Sequence, residues 1–277
     1  MLPAVVVDRE LGRRLAVHEA TIHARSGREL RDLGDGLLLH DPADPEPFWN
    51  RLVAPAWPAA TPAFERRLDE VITLFAALGR LPHVRTLPLG SEPPDAVERL
   101  LDAGFLPVGR DRAMVLTDTG PAIALARTLA ARRDLRLDRV NSGPASRAMD
   151  VARILVDAFE VESDRIPALA AEALAAARRP GGATLLLLAD ERPVAAVRSV
   201  TLGGATYLSS IGTVPAMRRR GYASLLTAIA IVEALAVGTT LVHLLADAGS
   251  DDALRLYERL GFIRVGEPIA DLLLRAG

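Results

Sequence analysis

The stretch that decides the fold is VPAMRRRGYASLL, residues 214–226. A strand pattern ends just before it, Pro215 interrupts that pattern, and an apolar helical pattern follows Gly221. The first turn of a helix presents unpaired backbone N–H groups and a partial positive charge, which together bind anions. Three consecutive arginines, residues 218–220, add charge-assisted donors beside that turn. We therefore predict that a pyrophosphate group binds at this strand–helix junction.

Composition removes the main competing classes of function. The formal net charge of the 277-residue chain is -2, so nothing attracts the whole molecule to nucleic acid. There are no cysteines, which excludes disulfides, thiolate metal sites and a cysteine nucleophile and fits a reducing compartment. The five histidines are scattered, so we predict no metal site, and no apolar run approaches the ~20 residues of a membrane span. We expect a cytoplasmic protein without nucleic-acid or membrane partners.

The second half of the chain has the clearer pattern of elements. A strand begins at Leu135, a loop follows at residues 141–144, and helices are predicted over Ser146–Phe159 and from Ser163 onward. Three strands, the helix after the arginines, another strand, a helix and a last strand from Phe262 complete it. This order, β-α-α-β-β-β-α-β-α-β, predicts an α/β (α+β) fold, a mixed sheet flanked by helices.

The first half is harder to interpret. Residues 40–62 are rich in proline and predict a long irregular connection, followed by a helix from Phe64. Residues 96–116, AVERLLDAGFLPVGRDRAMVL, then match residues 256–274, LYERLGFIRVGEPIADLLL, in the order helix, Gly-Phe, strand, turn, strand. This repeat favours a structural duplication, with chance as the alternative. We predict two tandem copies with domains at 1–134 and 135–277.

Two motifs in the second half resemble those of the GNAT superfamily of acyl-CoA-dependent N-acetyltransferases. Residues 218–223, RRRGYA, match the pattern Arg/Gln-x-x-Gly-x-Gly/Ala. Residues 250–262, SDDALRLYERLGF, match Asn-x-x-Ala-x-x-Leu-Tyr-x-x-x-Gly-Phe except at the first position. The resemblance covers about residues 135–274 and implies a GNAT-type sheet. The first half has no such loop and no tyrosine before Gly104, so we expect a degenerate copy without a coenzyme motif.

The resemblance implies acetyl-CoA as co-substrate and a role for each matching residue. The end of the fourth strand should separate from its neighbour and bind the pantetheine arm, and the loop amides should bind the pyrophosphate. The hydroxyl of Tyr257 should protonate the leaving thiolate as general acid. The implied coenzyme-binding residues are Gly212, Thr213, Val214, Arg218, Arg219, Arg220, Gly221, Tyr222, Ala223, Ser224, Ser250 and Ala253.

Two departures from the family pattern leave the general base open. The asparagine of the second motif is Ser250, which can still cap a helix. The fourth strand lacks the carboxylate that often serves as base in this family and has Ser209 and Ser210 instead. Glu160, with Glu162 in the same loop, and His243 are candidate bases, each set against a structural role as a solvated or core residue. A water relay is the alternative.

Two functions therefore follow from the sequence. The first is an N-acetyltransferase that moves an acetyl or longer acyl group to a primary amine by direct attack in the C-terminal domain. The second is a non-catalytic acyl-CoA-binding sensor or interaction protein. The acceptor is a small-molecule or peptide amine that the sequence does not identify, and the oligomeric state stays open, a homodimer included.

Overall fold

The computed structural model describes residues 2–140 and 146–275. The predicted loop at 141–144 lies outside these residues. Within them, the α-helices are α1 (Arg9–Ala24), α2 (Thr61–Ala77), α3 (Ala96–Asp102), α4 (Gly120–Arg127), α5 (Ser146–Phe159), α6 (Ile166–Arg178), α7 (Tyr222–Ala236) and α8 (Asp251–Arg259). The strands are β1 (Glu29–Asp32), β2 (Leu37–His40), β3 (Arg51–Val53), β4 (His83–Arg85), β5 (Leu106–Leu116), β6 (Leu135–Arg139), β7 (Gly182–Ala189), β8 (Arg192–Leu202), β9 (Ala205–Thr213), β10 (Leu241–Asp247) and β11 (Phe262–Leu273).

The chain forms two compact units. The larger unit comprises Met114–Leu245 and Asp252–Ile263, with the N-terminal residues up to Val5. The smaller unit comprises Val6–Ala113, Ala246–Asp251 and the residues from Arg264 onward. These units differ from the predicted division at residue 134, because β5 and β11 each contribute residues to both. The division into two evolutionary domains stays a prediction.

Each unit is built on a mixed sheet with the same internal order. In the smaller unit β1, β2 and β3 pair antiparallel, β3 pairs parallel with β4, and β4 pairs antiparallel with β11. In the larger unit β6, β7, β8 and β9 pair antiparallel, and β9 pairs parallel with β10. The predicted mixed sheet flanked by helices is confirmed.

The order of elements supports the predicted duplication. The first copy runs α1-β1-β2-β3-α2-β4-α3-β5, and the second runs α6-β7-β8-β9-α7-β10-α8-β11. Both copies end in a short helix, a left-handed glycine and a buried phenylalanine, at Gly104-Phe105 and Gly261-Phe262. The likeness therefore extends beyond the short sequence match to eight successive helices and strands, whereas β6 and α5 have no counterpart before α1 in the described residues.

Several details of the prediction were wrong. The helix expected from Ser163 begins at Ile166 after a 3-10 turn, because Pro167 is best tolerated in the first helical turn. The expected strand–turn–strand after each Gly-Phe pair is one long strand, β5 or β11. The connection at 40–62, expected to be irregular, contains the short strand β3. Helix α1 was not predicted, because its buried face includes the polar residues Glu19 and His23.

Helix α7 lies in the core of the larger unit. Its buried residues lie on every side of the helix, among them Leu226, Ala230 and Ile231, so its apolar sequence leaves no polar face. Helices α5 and α6 pack on β7 and β8 through a separate cluster that includes Leu155, Ala173, Leu186, Leu188 and Ala196. The core therefore fixes the direction in which the N-terminus of α7 points. None of the helices in the described residues is long and apolar enough to cross a membrane.

The smaller unit contains a buried ionic core. Its members are Glu19, His23, Arg51, His83, Arg85, Asp111 and Asp271. Arg51 is fully buried and binds Glu19 at 2.7 Å, and His23 approaches the same carboxylate at 2.9 Å. Burial alone would raise the pKa of Glu19, but the charges of Arg51 and His23 hold it well below its ordinary value. Glu19 is therefore a buried carboxylate whose charge depends on its partners.

Arg51→Met should cost about 3–5 kcal/mol of unfolding free energy, because it leaves the buried Glu19 charge without its closest partner. Urea denaturation of the purified protein measures this loss. Arg31→Met is the control, because Arg31 pairs with Glu29 on the surface of the same unit and its loss should cost at most about 1 kcal/mol. Equal losses in the two variants would contradict the role assigned to Arg51.

Glu19→Gln should change the acid side of the stability profile. The pKa of Glu19 is lowered in the folded state, so its contribution is present above the unfolded pKa of about 4.3 and lost as pH falls through the folded value. The stability gap between wild type and Glu19→Gln should therefore narrow on acidification, as measured by urea midpoints between neutral pH and about pH 3. A gap independent of pH would disprove this assignment.

Candidate functional site

The N-terminus of α7 presents backbone donors that no side chain caps. The N-cap is Gly221, in the left-handed conformation with φ 79° and ψ 7°, and it makes no side-chain capping bond. The first bond of the helix runs from the Leu225 amide to the Gly221 carbonyl at 3.0 Å. The amides of residues 222–224 therefore precede the intrahelical ladder and are available to an anion.

The loop before α7 adds a second left-handed residue. Arg219 has a φ of 65°, so Arg219 and Gly221 flank Arg220 with positive φ values. When neighbouring residues alternate between right-handed and left-handed backbone conformations, their N–H groups point toward one place and form an anion-binding concavity. A non-glycine residue there costs roughly 1–2 kcal/mol. We call residues 218–224 the cradle loop; the side chains of its three arginines are exposed.

The pairing of β9 with β10 ends a few residues before the cradle loop in the sequence. Their parallel pairing covers Ala205–Leu208 and Leu241–Leu244 only, whereas β9 continues to Thr213. A bulge marks the change: Ala196 of β8 faces Gly212 and Arg198 faces Ser209, so two residues of β9 lie opposite one. Ser210 in that bulge has a φ of 52°. The predicted opening at Gly212, Thr213 and Val214 therefore begins where β9 has lost its β10 partner.

The last turn of α5 packs against this end of β9. A Cβ on Gly212 would lie 3.1 Å from the Cβ of Ala158, so a larger residue there would push α5 away. Arg218 donates from Nη2 to the Ala158 carbonyl at 3.0 Å and so caps the C-terminus of α5. The loop that carries Glu160 thus starts beside the cradle loop, and Glu160 itself ends α5 with a φ of 54°.

Helix α8 carries the predicted general acid and is tied to the cradle loop. Asp252 in its first turn accepts a hydrogen bond from Nη2 of Arg219 at 2.6 Å. Tyr257 is buried farther along the helix, with its ring centroid 6.0 Å from that of Phe262. Burial, with no charged or hydrogen-bonding group contributing, raises the pKa of Tyr257, so the phenol stays protonated.

The turn after α8 is fixed by close backbone contact. A Cβ on Gly261 would lie 1.9 Å from the Asp118 carbonyl oxygen, and Gly261 itself has a φ of 95°. The Thr117 and Asp118 amides donate to the Gly261 carbonyl at 3.0 and 3.1 Å. No side chain is tolerated at this position, which explains the glycine of the second motif. Ser250 directly precedes α8, and Ala253 lies half-buried in its first turn.

The candidate bases lie in different surroundings. His243 is 1% exposed in β10, opposite Tyr207 in register, with the two ring centroids 5.0 Å apart. It is therefore buried in the core, which agrees with the structural alternative, and its role as a base stays a prediction. Glu160 and Glu162 are both exposed in the loop after α5, where an acceptor could reach them. In the described part of the chain, no group of three His, Cys, Asp or Glu side chains could hold a metal ion.

The sequence did not predict three features of this site, at Ala158, Ser210 and Asp252. Ala158 is an ordinary helix residue in the sequence, and its packing against Gly212 depends on the tertiary fold. The left-handed conformation of Ser210 has no signal, because serine is not typical of that region. Asp252 looks in the sequence like an ordinary acidic residue in the first turn of a helix. Nothing in the local pattern indicates its contact with Arg219, 33 positions earlier.

The corresponding place in the smaller unit is closed. After the β3–β4 pairs end at Val53 and Arg85, the Ala54 amide still donates to the Arg85 carbonyl at 3.3 Å. Ala56 then forms a parallel bridge with Glu92, and Trp57 donates to the Glu92 carbonyl at 3.0 Å. The residues before α2, APAWPAA, contain no charge. This geometry supports the expectation that the first copy has no coenzyme cradle.

Comparison with known proteins identifies the larger unit. Residues 148–262 match the model of the Acetyltransferase (GNAT) family, a match that covers less than half of the chain. This confirms the resemblance drawn from the two motifs. No curated protein matches the chain.

Two solved structures share the fold over most of the chain. One is a GCN5-related N-acetyltransferase from Kribbella flavida, with 23% identity, 96% of each chain covered and a TM-score of 0.69. The other is a functionally unknown conserved protein from Staphylococcus epidermidis, with 15% identity, 89% of this chain and 93% of that chain covered and a TM-score of 0.66. At these identities the likeness establishes the fold.

Gly221→Ala should destabilise the protein by about 1 kcal/mol, because its φ of 79° disfavours any residue with a Cβ. Nothing lies within 4 Å of the added Cβ, so backbone strain is the expected cause and no clash contributes. Urea unfolding measures the loss. Ala223→Gly is the control: it removes a Cβ from the same turn and should cost at most about 1 kcal/mol, through helix propensity alone. An unchanged stability in Gly221→Ala would refute the left-handed assignment.

Proposed function

We propose that the larger unit is an N-acyltransferase that uses acetyl-CoA and acylates a primary amine. The observation that carries the proposal is the cradle loop, with its uncapped α7 amides and two left-handed residues beside the end of β9. Its amides suit a diphosphate, and the unpaired end of β9 suits the amide groups of a pantetheine arm. Of the anions that such a cradle binds, the family match favours coenzyme A.

The proposed reaction is direct transfer. The amine nitrogen attacks the thioester carbonyl, the new C–N bond forms, and the C–S bond breaks. The nitrogen gives up one proton to a base, and the leaving sulfur receives one from the hydroxyl of Tyr257. Backbone N–H groups at the open end of β9 would stabilise the oxyanion in between. Burial raises the pKa of the Tyr257 phenol, so the proton is present before the transfer.

Glu160 is the proposed base, either directly or through a water molecule. It follows the last turn of α5, which Gly212 and Arg218 hold beside the cradle loop. Phe159 and Val161 on either side are 55% and 37% exposed, so the loop offers a carboxylate between two apolar side chains. Such a surface suits an ammonium group attached to an apolar body, in a small molecule or a peptide.

The alternative is an acyl-CoA-binding protein without catalysis. The absence of a carboxylate from β9 and the serine at position 250 favour it. Incubation with acetyl-CoA and a panel of amines, with thiol release as the readout, separates the two functions. Tight coenzyme binding without turnover on any amine would favour the sensor.

Tyr257→Phe should lower kcat by about 10²-fold or more with coenzyme affinity within about twofold of wild type, because it removes only the proton donor. Steady-state kinetics and calorimetric coenzyme titration measure the two quantities. Tyr207→Phe makes the same chemical change in the core of the same unit and should keep turnover within a few-fold. Equal kinetics in wild type and Tyr257→Phe would exclude the phenol as general acid.

A further inference from the structure

The conformation of Arg219 requires an explanation. Arginine rarely adopts positive φ, and its long side chain cannot bond its own backbone as asparagine or aspartate can. Yet the φ of 65° at Arg219 is what turns the loop amides inward, together with Gly221. Some contact must therefore favour this conformation over the ordinary right-handed one.

The ion pair with Asp252 supplies that contact. Nη2 of Arg219 lies 2.6 Å from Oδ2 of Asp252, and Oδ1 of Asp252 accepts from Nη2 of Arg255 at 3.2 Å. Both oxygens of the carboxylate are thus engaged, one by the loop and one by the next turn of α8. Asp252 is therefore fixed on a regular helix, whereas Arg219 belongs to a loop.

The Arg219–Asp252 ion pair is exposed, so its effect is on the conformation of the loop and not on global stability. The side chains of Arg219 and Asp252 are 81% and 55% exposed, and an exposed ion pair adds little to global stability. The free energy of such a pair is nevertheless of the same order as the cost of holding one residue in the left-handed conformation instead of the right-handed one. The pair therefore acts on the population of the cradle conformation.

We infer that Asp252 is a positioning residue, which holds Arg219 in the left-handed conformation that the diphosphate cradle needs. This inference rests on the proposed function. The side chain of Arg219 then serves the loop conformation, and its backbone serves the ligand. Because Asp252 lies on α8, the same contact links the cradle loop to the helix that carries Tyr257.

Glycine at position 219 provides a direct test of this role. Glycine adopts positive φ about as readily as negative φ, so it needs no partner to hold it there. If Asp252 acts through the backbone of residue 219, then Arg219→Gly makes Asp252 dispensable. If Asp252 acts independently of Arg219, its loss has the same effect whether residue 219 is arginine or glycine. If Asp252 acts by orienting the Arg219 side chain, Arg219→Gly and Arg219→Ala bind coenzyme equally.

The experiment measures coenzyme A affinity by calorimetry in wild type, Asp252→Asn, Arg219→Gly and the double variant. Asp252→Asn should raise Kd about two- to fivefold when residue 219 is arginine and leave the Kd of Arg219→Gly unchanged. The additional variant Arg219→Ala should bind more weakly than Arg219→Gly, because alanine disfavours the positive φ that glycine adopts. Asp251→Asn removes the same charge from the same turn and is the control for a general field effect on the phosphates. It should leave Kd nearly unchanged or lower it.

Three results would overturn the inference: unchanged or tighter binding in Asp252→Asn, a double variant several-fold weaker than Arg219→Gly, or equal binding in Arg219→Gly and Arg219→Ala. Hydrogen exchange of the Leu225 amide, which donates to the Gly221 carbonyl at 3.0 Å, gives a readout in the free protein without coenzyme. Protection should fall in Asp252→Asn and recover in the double variant. Failure of wild type to bind coenzyme A would refute the proposed function, whereas this exchange pattern would still decide the role of Asp252.

Discussion

The candidate site of the larger unit depends on two residues with left-handed backbone conformation at the junction between β9 and α7. Arg219 and Gly221 have positive φ, and between them the chain changes from an extended strand to a helix whose first amides lack partners. A helix that begins without a side-chain cap leaves donors for something outside the chain. The buried body of α7 fixes their direction beside a loop with three exposed arginines, where we propose that an anion binds.

The two copies of the fold show how one order of elements supports different outcomes. In the larger unit β9 loses its β10 partner after Leu208, and the proposed coenzyme would contact the backbone beyond that residue. In the smaller unit the corresponding gap is closed by Ala56, Trp57 and Glu92, and the interior holds charged side chains that pair with one another. Backbone pairing at the ends of two parallel strands, more than the fold itself, separates a ligand site from a closed core.

The sequence predicted the parts of this protein that follow a local rule. The helix after Gly221, the order of strands in the second half and the turn at Gly261 depend on periodicity and glycine chemistry, and the structure confirms them. Helix α1 escaped prediction because Glu19 and His23 face inward, where an apolar period would be expected. The tie between Arg219 and Asp252 also escaped it, because spacing along the chain does not encode a contact that forms only after folding.

The pairing of β4 with β11 has a consequence for biosynthesis. The smaller unit takes its closing strand, and Asp271 of its ionic core, from β11, which follows every other described strand in the chain. Its N-terminal portion therefore leaves the ribosome before β11 does, and its sheet is complete only after β11 has been synthesised. A chain that stopped after β5 would lack the residues from Arg264 onward that belong to the smaller unit. A chain that began after β5 would lack Met114–Leu116 of the larger unit, so each unit needs residues from both halves of one gene.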